Sequence, residues 1–212
     1  MRRLMALALT LALHSGRVQA GAYEEILADA EHNRTGAVLE LIHLGMDANT
    51  ATPEGTTLLM TAARNGNLEL VEALLKNRAN HLIQNRFGDT ALMFSALNGH
   101  VVVVKRLLEL GGPQENREGW TPLQYSAFGG HIEVARYLIG KGAKVNAPAP
   151  NSQTPLMLAA SAGSFEMVRF LIDELADTKI KDRDGKTARD MAEARGHKQV
   201  ADYIGSFDAT EK

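Results

Sequence analysis

The chain contains no cysteine among its 212 residues. That excludes disulfide staples, thiolate nucleophiles and thiolate metal sites together. Aromatic residues are scarce at 5%, with a single tryptophan, so a large aromatic core is not available. No hydrophobic run approaches the roughly 20 residues that span a bilayer; the longest apolar stretch is Leu4–Leu13, interrupted only by Thr10. Neither sign of charge dominates, since 23 basic residues face 25 acidic ones. The cluster Arg183 to Arg195 is interleaved with Asp184, Asp190 and Glu193, so no strongly basic patch invites a phosphate backbone.

Sites for chemistry are equally hard to find. Seven histidines are scattered without the i, i+4 spacing of a metal pair. Gly140-Lys141-Gly142 lacks the rest of a phosphate cradle. Asp182-Arg183-Asp184-Gly185 superficially resembles a calcium loop, but with Gly185 at the loop's sixth position the last position falls on Met191 and not on the expected glutamate. No serine sits in a nucleophile elbow. The sequence predicts no catalytic residue, no cofactor and no metal, hence a protein that is not an enzyme.

The first 22 residues read as a signal peptide. Arg2 and Arg3 precede the apolar run, and small residues stand at −3 and −1 whether the chain is cut after Ala20 or after Ala22. The competing reading is a first capping helix. The segment carries no acidic residue and lies out of phase with the rest of the chain, which favours the signal peptide over that helix. Arg2-Arg3 hints at twin-arginine export, but the residues around the pair do not extend that motif, so the general secretory route is favoured. Its removal takes away Arg2, Arg3 and Arg17, leaving 20 basic against 25 acidic residues, a charge of −5. The expected location is a bacterial periplasm, or the medium after secretion, with no membrane insertion once the signal is gone.

What the sequence does have is a period. Asn33, Gly66, Gly99, Gly130, Gly163 and Gly196 follow one another at steps of 33, 33, 31, 33 and 33. Leu41-Ile42, Leu74-Leu75, Leu107-Leu108, Leu138-Ile139 and Leu171-Ile172 keep the same steps. A fixed repeat of this length predicts a stacked solenoid and not a globule with one central core. Such a stack presents a long surface suited to holding a partner.

Residues 116–147 show the unit. Gly119 supplies a turn, Thr121 caps a helix that starts at Pro122, and Gly130 ends that helix in the left-handed region. A second helix carries Ile132, Val134, Ala135, Leu138 and Ile139 at helical spacing. Thr-Pro-Leu, the small residues of the first helix, Gly-His between helices, the paired aliphatics and the Gly-Ala and Val-Asn exit resemble the ankyrin repeat. Related cores stand at Thr57-Leu58-Leu59-Met60, Thr90-Ala91-Leu92-Met93, Thr154-Pro155-Leu156-Met157 and Thr187-Ala188.

The resemblance covers about residues 23–207 and implies an all-α ankyrin-repeat solenoid of about six helix-turn-helix units. The units run 23–50 (an N-terminal cap), 51–84, 85–115, 116–148, 149–181 and 182–207 (a C-terminal cap), with 208–212 as a tail. Fingers are expected to project at right angles to the helices. Ala62, Ala63, Ala96, Ala127, Ala159 and Ala160 let the first helices of neighbouring units approach closely. Several positions depart from the family pattern. Met60, Met93, Gln124 and Met157 stand where histidine ties neighbouring turns, and methionine is expected only to pack there. Arg78 and Leu175 replace a helix-closing glycine, which argues against a left-handed cap in those units. Ser152 replaces a turn glycine. The two-residue slip in Gly111-Gly112-Pro113-Gln114-Glu115 predicts a shorter finger beside unit four.

The resemblance also implies that residues beside the turn glycine, and the two before the inter-helix glycine, face the binding groove. The candidate partner-binding residues are therefore Arg86, Phe87, Asp89, Leu97, Arg117, Glu118, Trp120, Phe128 and Gln153, with Trp120 at the centre. The alternative for Trp120 is packing against the neighbouring finger, and for Phe128 folding down onto the second helix. Tyr125 and Phe94 point inward by phase. The function expected is an exported, monomeric scaffold that binds a protein partner and supports or regulates an envelope enzyme. A secreted effector is the second reading, and a small-molecule binder or enzyme using a recess at Trp120 is the third.

Overall fold

A computed structural model describes residues 16–111, 115–116 and 118–208. Twelve helices among the described residues form six pairs. The pairs are α1 (Gly16–Glu31) with α2 (Thr35–His43), α3 (Leu58–Arg64) with α4 (Leu68–Lys76), and α5 (Ala91–Leu97) with α6 (Val101–Glu109). They continue as α7 (Pro122–Gly129) with α8 (Ile132–Gly140), α9 (Pro155–Ser161) with α10 (Phe165–Asp173), and α11 (Ala188–Ala194) with α12 (Lys198–Asp208). The first helices of the units pack on one another as one row, and the second helices as another. The all-α solenoid of six units is therefore what the chain forms. Helix α1 begins upstream of Tyr23, so both candidate cleavage bonds fall inside it, and Ala22 is buried. Helix α12 reaches Asp208, the first residue of the expected tail.

The first helices start on threonine. Thr57, Thr121, Thr154 and Thr187 adopt extended backbone and accept a hydrogen bond from the amide three residues on. The same third residue returns a bond to the threonine amide. Met60, Met93 and Met157 do so through sulfur at 3.4 Å, Gln124 through Oε1 at 2.7 Å and Asp190 through Oδ2 at 2.8 Å. The methionines thus do more than pack, contrary to the sequence expectation. Their thioethers are weak acceptors, but they close the cap of their own helix.

Helix ends keep the left-handed turn throughout. The ladder from Asn33 to Gly196 has positive φ at every step, from 56° to 78°. Arg78 (φ 65°), Leu175 (φ 66°) and Ser152 (φ 65°) take the same conformation despite their side chains, correcting the expectation for Arg78 and Leu175. The stack imposes the conformation on them, at about 1–2 kcal/mol for an L-residue. Leucine at 175 is also 85% exposed, so little burial offsets that cost. Leu175→Gly should raise stability by about 0.5–1 kcal/mol, the left-handed relief less the extra unfolded-state entropy of glycine. The measurement is the urea midpoint at unchanged slope.

The small residues of the first helices are where the units meet. Ala62, Ala63, Ala96, Ala127, Ala159 and Ala160 are all fully buried. The aliphatics Leu74, Leu107, Leu138 and Leu171 fill the space between the two rows. One buried cluster runs from Ile26 to Leu107 and another from Ala96 to Ile204. Leu92 packs against both, so the core is continuous along the stack. Ala127→Leu, placed between α5 and α9, should strain the stack by about 1–3 kcal/mol, read as a lowered urea midpoint.

Candidate functional site

The fingers are built by Asx turns. In unit three Asn85 Oδ1 accepts the amides of Phe87 and Asp89, both at 2.9 Å, while the Asn85 amide donates to the Asp89 carbonyl at 3.0 Å. In unit four Asn116 Oδ1 accepts the Trp120 amide at 2.8 Å, and the Asn116 amide donates to the Trp120 carbonyl at 2.9 Å. Asn85 and Asn116 are buried, so Phe87 and Trp120 project from pinned turns. Asp182 makes the same turn for Asp184 and Lys186, which explains its loop without calcium. The fingers are tied sideways by the Arg86 amide to the Glu54 carbonyl (2.9 Å) and the Arg183 amide to the Asn151 carbonyl (3.3 Å). One isolated antiparallel bridge, Ala51 to Thr57, marks the finger of unit two. Residues 112–114, which carry the slip, lie outside the described residues.

Of the sequence candidates, Trp120, Leu97 and Phe128 come together, and Phe87 does not join them. With Gln124, Tyr125 and Leu158 they line a pocket of about 290 Å³ that spans units three to five. Its position follows from local sequence. Two residues before the inter-helix glycine, units two and five carry Arg64 and Ser161, whereas units three and four carry Leu97 and Phe128. Gly129 permits the approach. A Cβ there would lie 2.5 Å from the Leu97 carbonyl oxygen, so only glycine lets the end of α7 settle against the end of α5. Phe128 remains 55% exposed and does not fold onto α8. Trp120 is half-buried and meets Tyr125 edge to face, with centroids 6.3 Å apart.

Tyr125 packs against the core, as its phase predicts, but it also reaches the groove. It lines the pocket, and its hydroxyl donates to the Asp89 carboxylate of the preceding unit. An amphipathic ring turns to wherever its polar end finds a partner. Burial, with the Asp89 bond second, holds the Tyr125 phenol well above its usual range, so it stays protonated as donor. Phe94, at the equivalent position of α5, has no such bond to make and packs against the N-terminal half of the core.

The remaining candidates separate. Phe87 is 57% exposed and stands apart from the pocket, with the Arg86 guanidinium 4.7 Å above its ring. Arg86 also pairs with Glu54 at 3.7 Å. Asp89 accepts from Tyr125 and, at 3.4 Å, from Asn116 Nδ2. Glu118 is exposed. Gln153 reaches the Met191 sulfur at 3.9 Å. Arg117 lies outside the described residues.

Gln124 and Leu158 were not foreseen as pocket residues. Gln124 donates from Nε2 to the Ala147 carbonyl at 2.9 Å and toward that of Gln153 at 3.5 Å, and so ties unit four to unit five. Its replacement of the methionine found in units two, three and five was the one available signal. The histidines after the inter-helix glycines serve packing: His100 Nε2 donates to the Arg64 carbonyl at 2.8 Å, and the rings of His131 and His197 cover Gly99 and Gly163. Among the described residues no group of three histidine or acidic side chains could hold a metal, and no helix is long and apolar enough to cross a membrane.

Comparison with known proteins agrees with this geometry. The family described as ankyrin repeats (3 copies) matches residues 26–112 and 59–149, and ankyrin repeats (many copies) matches residues 138–192. The Notch-regulated ankyrin repeat-containing protein B of Danio rerio is 38% identical over 87 residues, which is 41% of this chain and 78% of that protein. The Notch-regulated ankyrin repeat-containing protein of Xenopus laevis is 37% identical over 96 residues, covering 45% of this chain and 81% of the relative. That of Homo sapiens is 40% identical over 62 residues, 29% of this chain and 54% of the relative. The fold and the family matches along residues 26–192 place this chain in the ankyrin-repeat family.

Proposed function

We propose that this protein is an exported, monomeric ankyrin-repeat scaffold that docks a partner protein on its fingers and first-helix row, with the pocket at Trp120 as the anchor point. Ankyrin repeats are protein-binding scaffolds and typically carry no catalysis of their own. The observation that carries the choice of site is the pocket lined by Leu97, Trp120, Tyr125, Phe128 and Leu158 together with Gln124, largely apolar and open beside pinned fingers. A recess of about 290 Å³ suits one inserted side chain better than a substrate. Filling it with one removes enough apolar surface from water to contribute about 1.5–3 kcal/mol.

Export is supported by Arg2-Arg3, the apolar Leu4–Leu13 stretch and the small residues ending at Ala20 or Ala22. In the periplasm such a scaffold would support or regulate an envelope enzyme. Cell fractionation with N-terminal sequencing tests this half. A periplasmic form beginning at Gly21 or Tyr23 is expected; release into the medium favours a secreted effector instead, and an uncut chain in the cytosol ends the export reading. Affinity capture from the envelope fraction, run beside Trp120→Ala, tests the other half. A partner retained equally by both forms would remove the pocket from the account.

A further inference from the structure

The pocket has a chemical preference that its apolar lining alone does not convey. Three of its six lining side chains are aromatic: Trp120, Tyr125 and Phe128. The edge-to-face setting of Trp120 and Tyr125, with planes 62° apart, leaves π-surface uncovered that a stacked pair would bury. Ring faces carry partial negative charge and attract cations within about 6 Å of the centroid. The Tyr125 hydroxyl donates to the Asp89 carboxylate, which sets a negative charge behind that ring, outside the pocket's own lining.

Elsewhere this chain supplies its own cations to such rings. Arg86 lies over Phe87 at 4.7 Å, Arg136 over Phe170 at 4.8 Å, and Lys105 and Lys141 flank Tyr137 at 5.2 and 5.6 Å. The three rings of the pocket receive none from the described residues. Asp89, half-buried, likewise has no cation within ion-pair distance among the described residues. Among the described residues, the three rings and the carboxylate behind Tyr125 thus have no cation of their own.

We infer that the pocket receives the guanidinium of an arginine on the partner protein, stacked among Trp120, Tyr125 and Phe128 and attracted by the Asp89 charge behind Tyr125. Guanidinium suits it better than ammonium. It is planar, weakly hydrated and stacks on aromatic faces, whereas a lysine head would give up a tighter water shell to a wall with few acceptors. The amide of Gln124 offers little competition, because both of its ends are already engaged within the protein. This inference rests on the pocket being the docking point proposed above and names what enters it.

Trp120 is the only tryptophan, so its emission reports the pocket alone. The experiment titrates the whole protein with a blocked Gly-Arg-Gly tripeptide, its citrulline analogue (a neutral isostere) and its lysine analogue. The arginine peptide should give a saturable change in the millimolar range. The citrulline peptide should bind at least tenfold more weakly. Asp89→Asn, which keeps an oxygen to accept from Tyr125 and removes the charge, should weaken the arginine peptide about tenfold and leave citrulline unchanged. If that variant fails to fold, added salt takes its place, weakening the arginine peptide and not the citrulline one. Equal binding of citrulline, tighter binding of lysine, or no saturable change overturns the inference. If capture of the partner still depends on Trp120 and Phe128, only the guanidinium assignment falls; if capture is indifferent to both, the docking site itself falls.

Discussion

Alanine in place of Gly66 should destabilise the stack by roughly 3 kcal/mol, although it adds one methyl group. Two costs combine. Gly66 has φ of 70°, where an L-residue costs about 1–2 kcal/mol. The added Cβ would also lie 2.6 Å from His100 Cε1, inside the van der Waals shell of a ring that cannot simply move aside. That ring is pinned by the His100 bond to the Arg64 carbonyl at 2.8 Å, and breaking the bond costs about another 1 kcal/mol. Gly196→Ala is the matched control. Gly196 has φ of 78° at the same place in its unit, but an added methyl would meet nothing within 4 Å, so only the backbone cost remains. Urea unfolding of both variants, with Gly66→Ala/His100→Ala completing a double-mutant cycle, separates the terms. Equal losses at Gly196 and Gly66 would mean that the imidazole does not lock one unit onto the next.

The second large effect is on binding. Trp120→Ala and Phe128→Ala should each weaken the captured partner by about 30-fold or more, the range of a central aromatic anchor. Phe87→Ala should cost less than about fivefold, because Phe87 stands outside the pocket and already carries Arg86 on its face. Stability should hardly move in the Phe128 variant, whose side chain is 55% exposed, so a fall in affinity there cannot be blamed on unfolding. Calorimetric titration of the purified partner, with circular dichroism as a control on folding, reads all three. An affinity that falls most at Phe87 would shift the site to the finger tips.

Why were some of these features legible in the sequence and others not? The period was, because each unit must present the same turn, cap and aliphatic pair for its neighbour to dock, so the constraint recurs in the letters themselves. The threonine caps and buried alanines followed directly. Leu97, Trp120 and Phe128 were readable as pocket residues because they break a row that is otherwise polar or small.

Other features depend on contacts that a single unit does not contain. Arg78, Leu175 and Ser152 keep a glycine-like backbone because the surrounding stack holds it, and nothing in their own chemistry announces that. Tyr125 faces the groove because Asp89, 36 residues earlier, accepts its hydroxyl. Phase within one short helix shows only the core side of that ring. The methionines at 60, 93 and 157 looked like pure packing until their sulfurs were seen beside the threonine amides. Phe87 precedes its turn glycine whereas Trp120 follows its own, at the position Asp89 holds in unit three, and only Trp120 reaches the pocket.

Hydrogen exchange on the captured complex tests the central claim most directly. If the partner docks where the three aromatic rings converge, protection on binding will concentrate in the fingers and first helices of units three to five, at residues 86–98, 118–129 and 153–161. Protection confined to α6, α8 and α10, with the Trp120 turn exchanging as in the free protein, would contradict it.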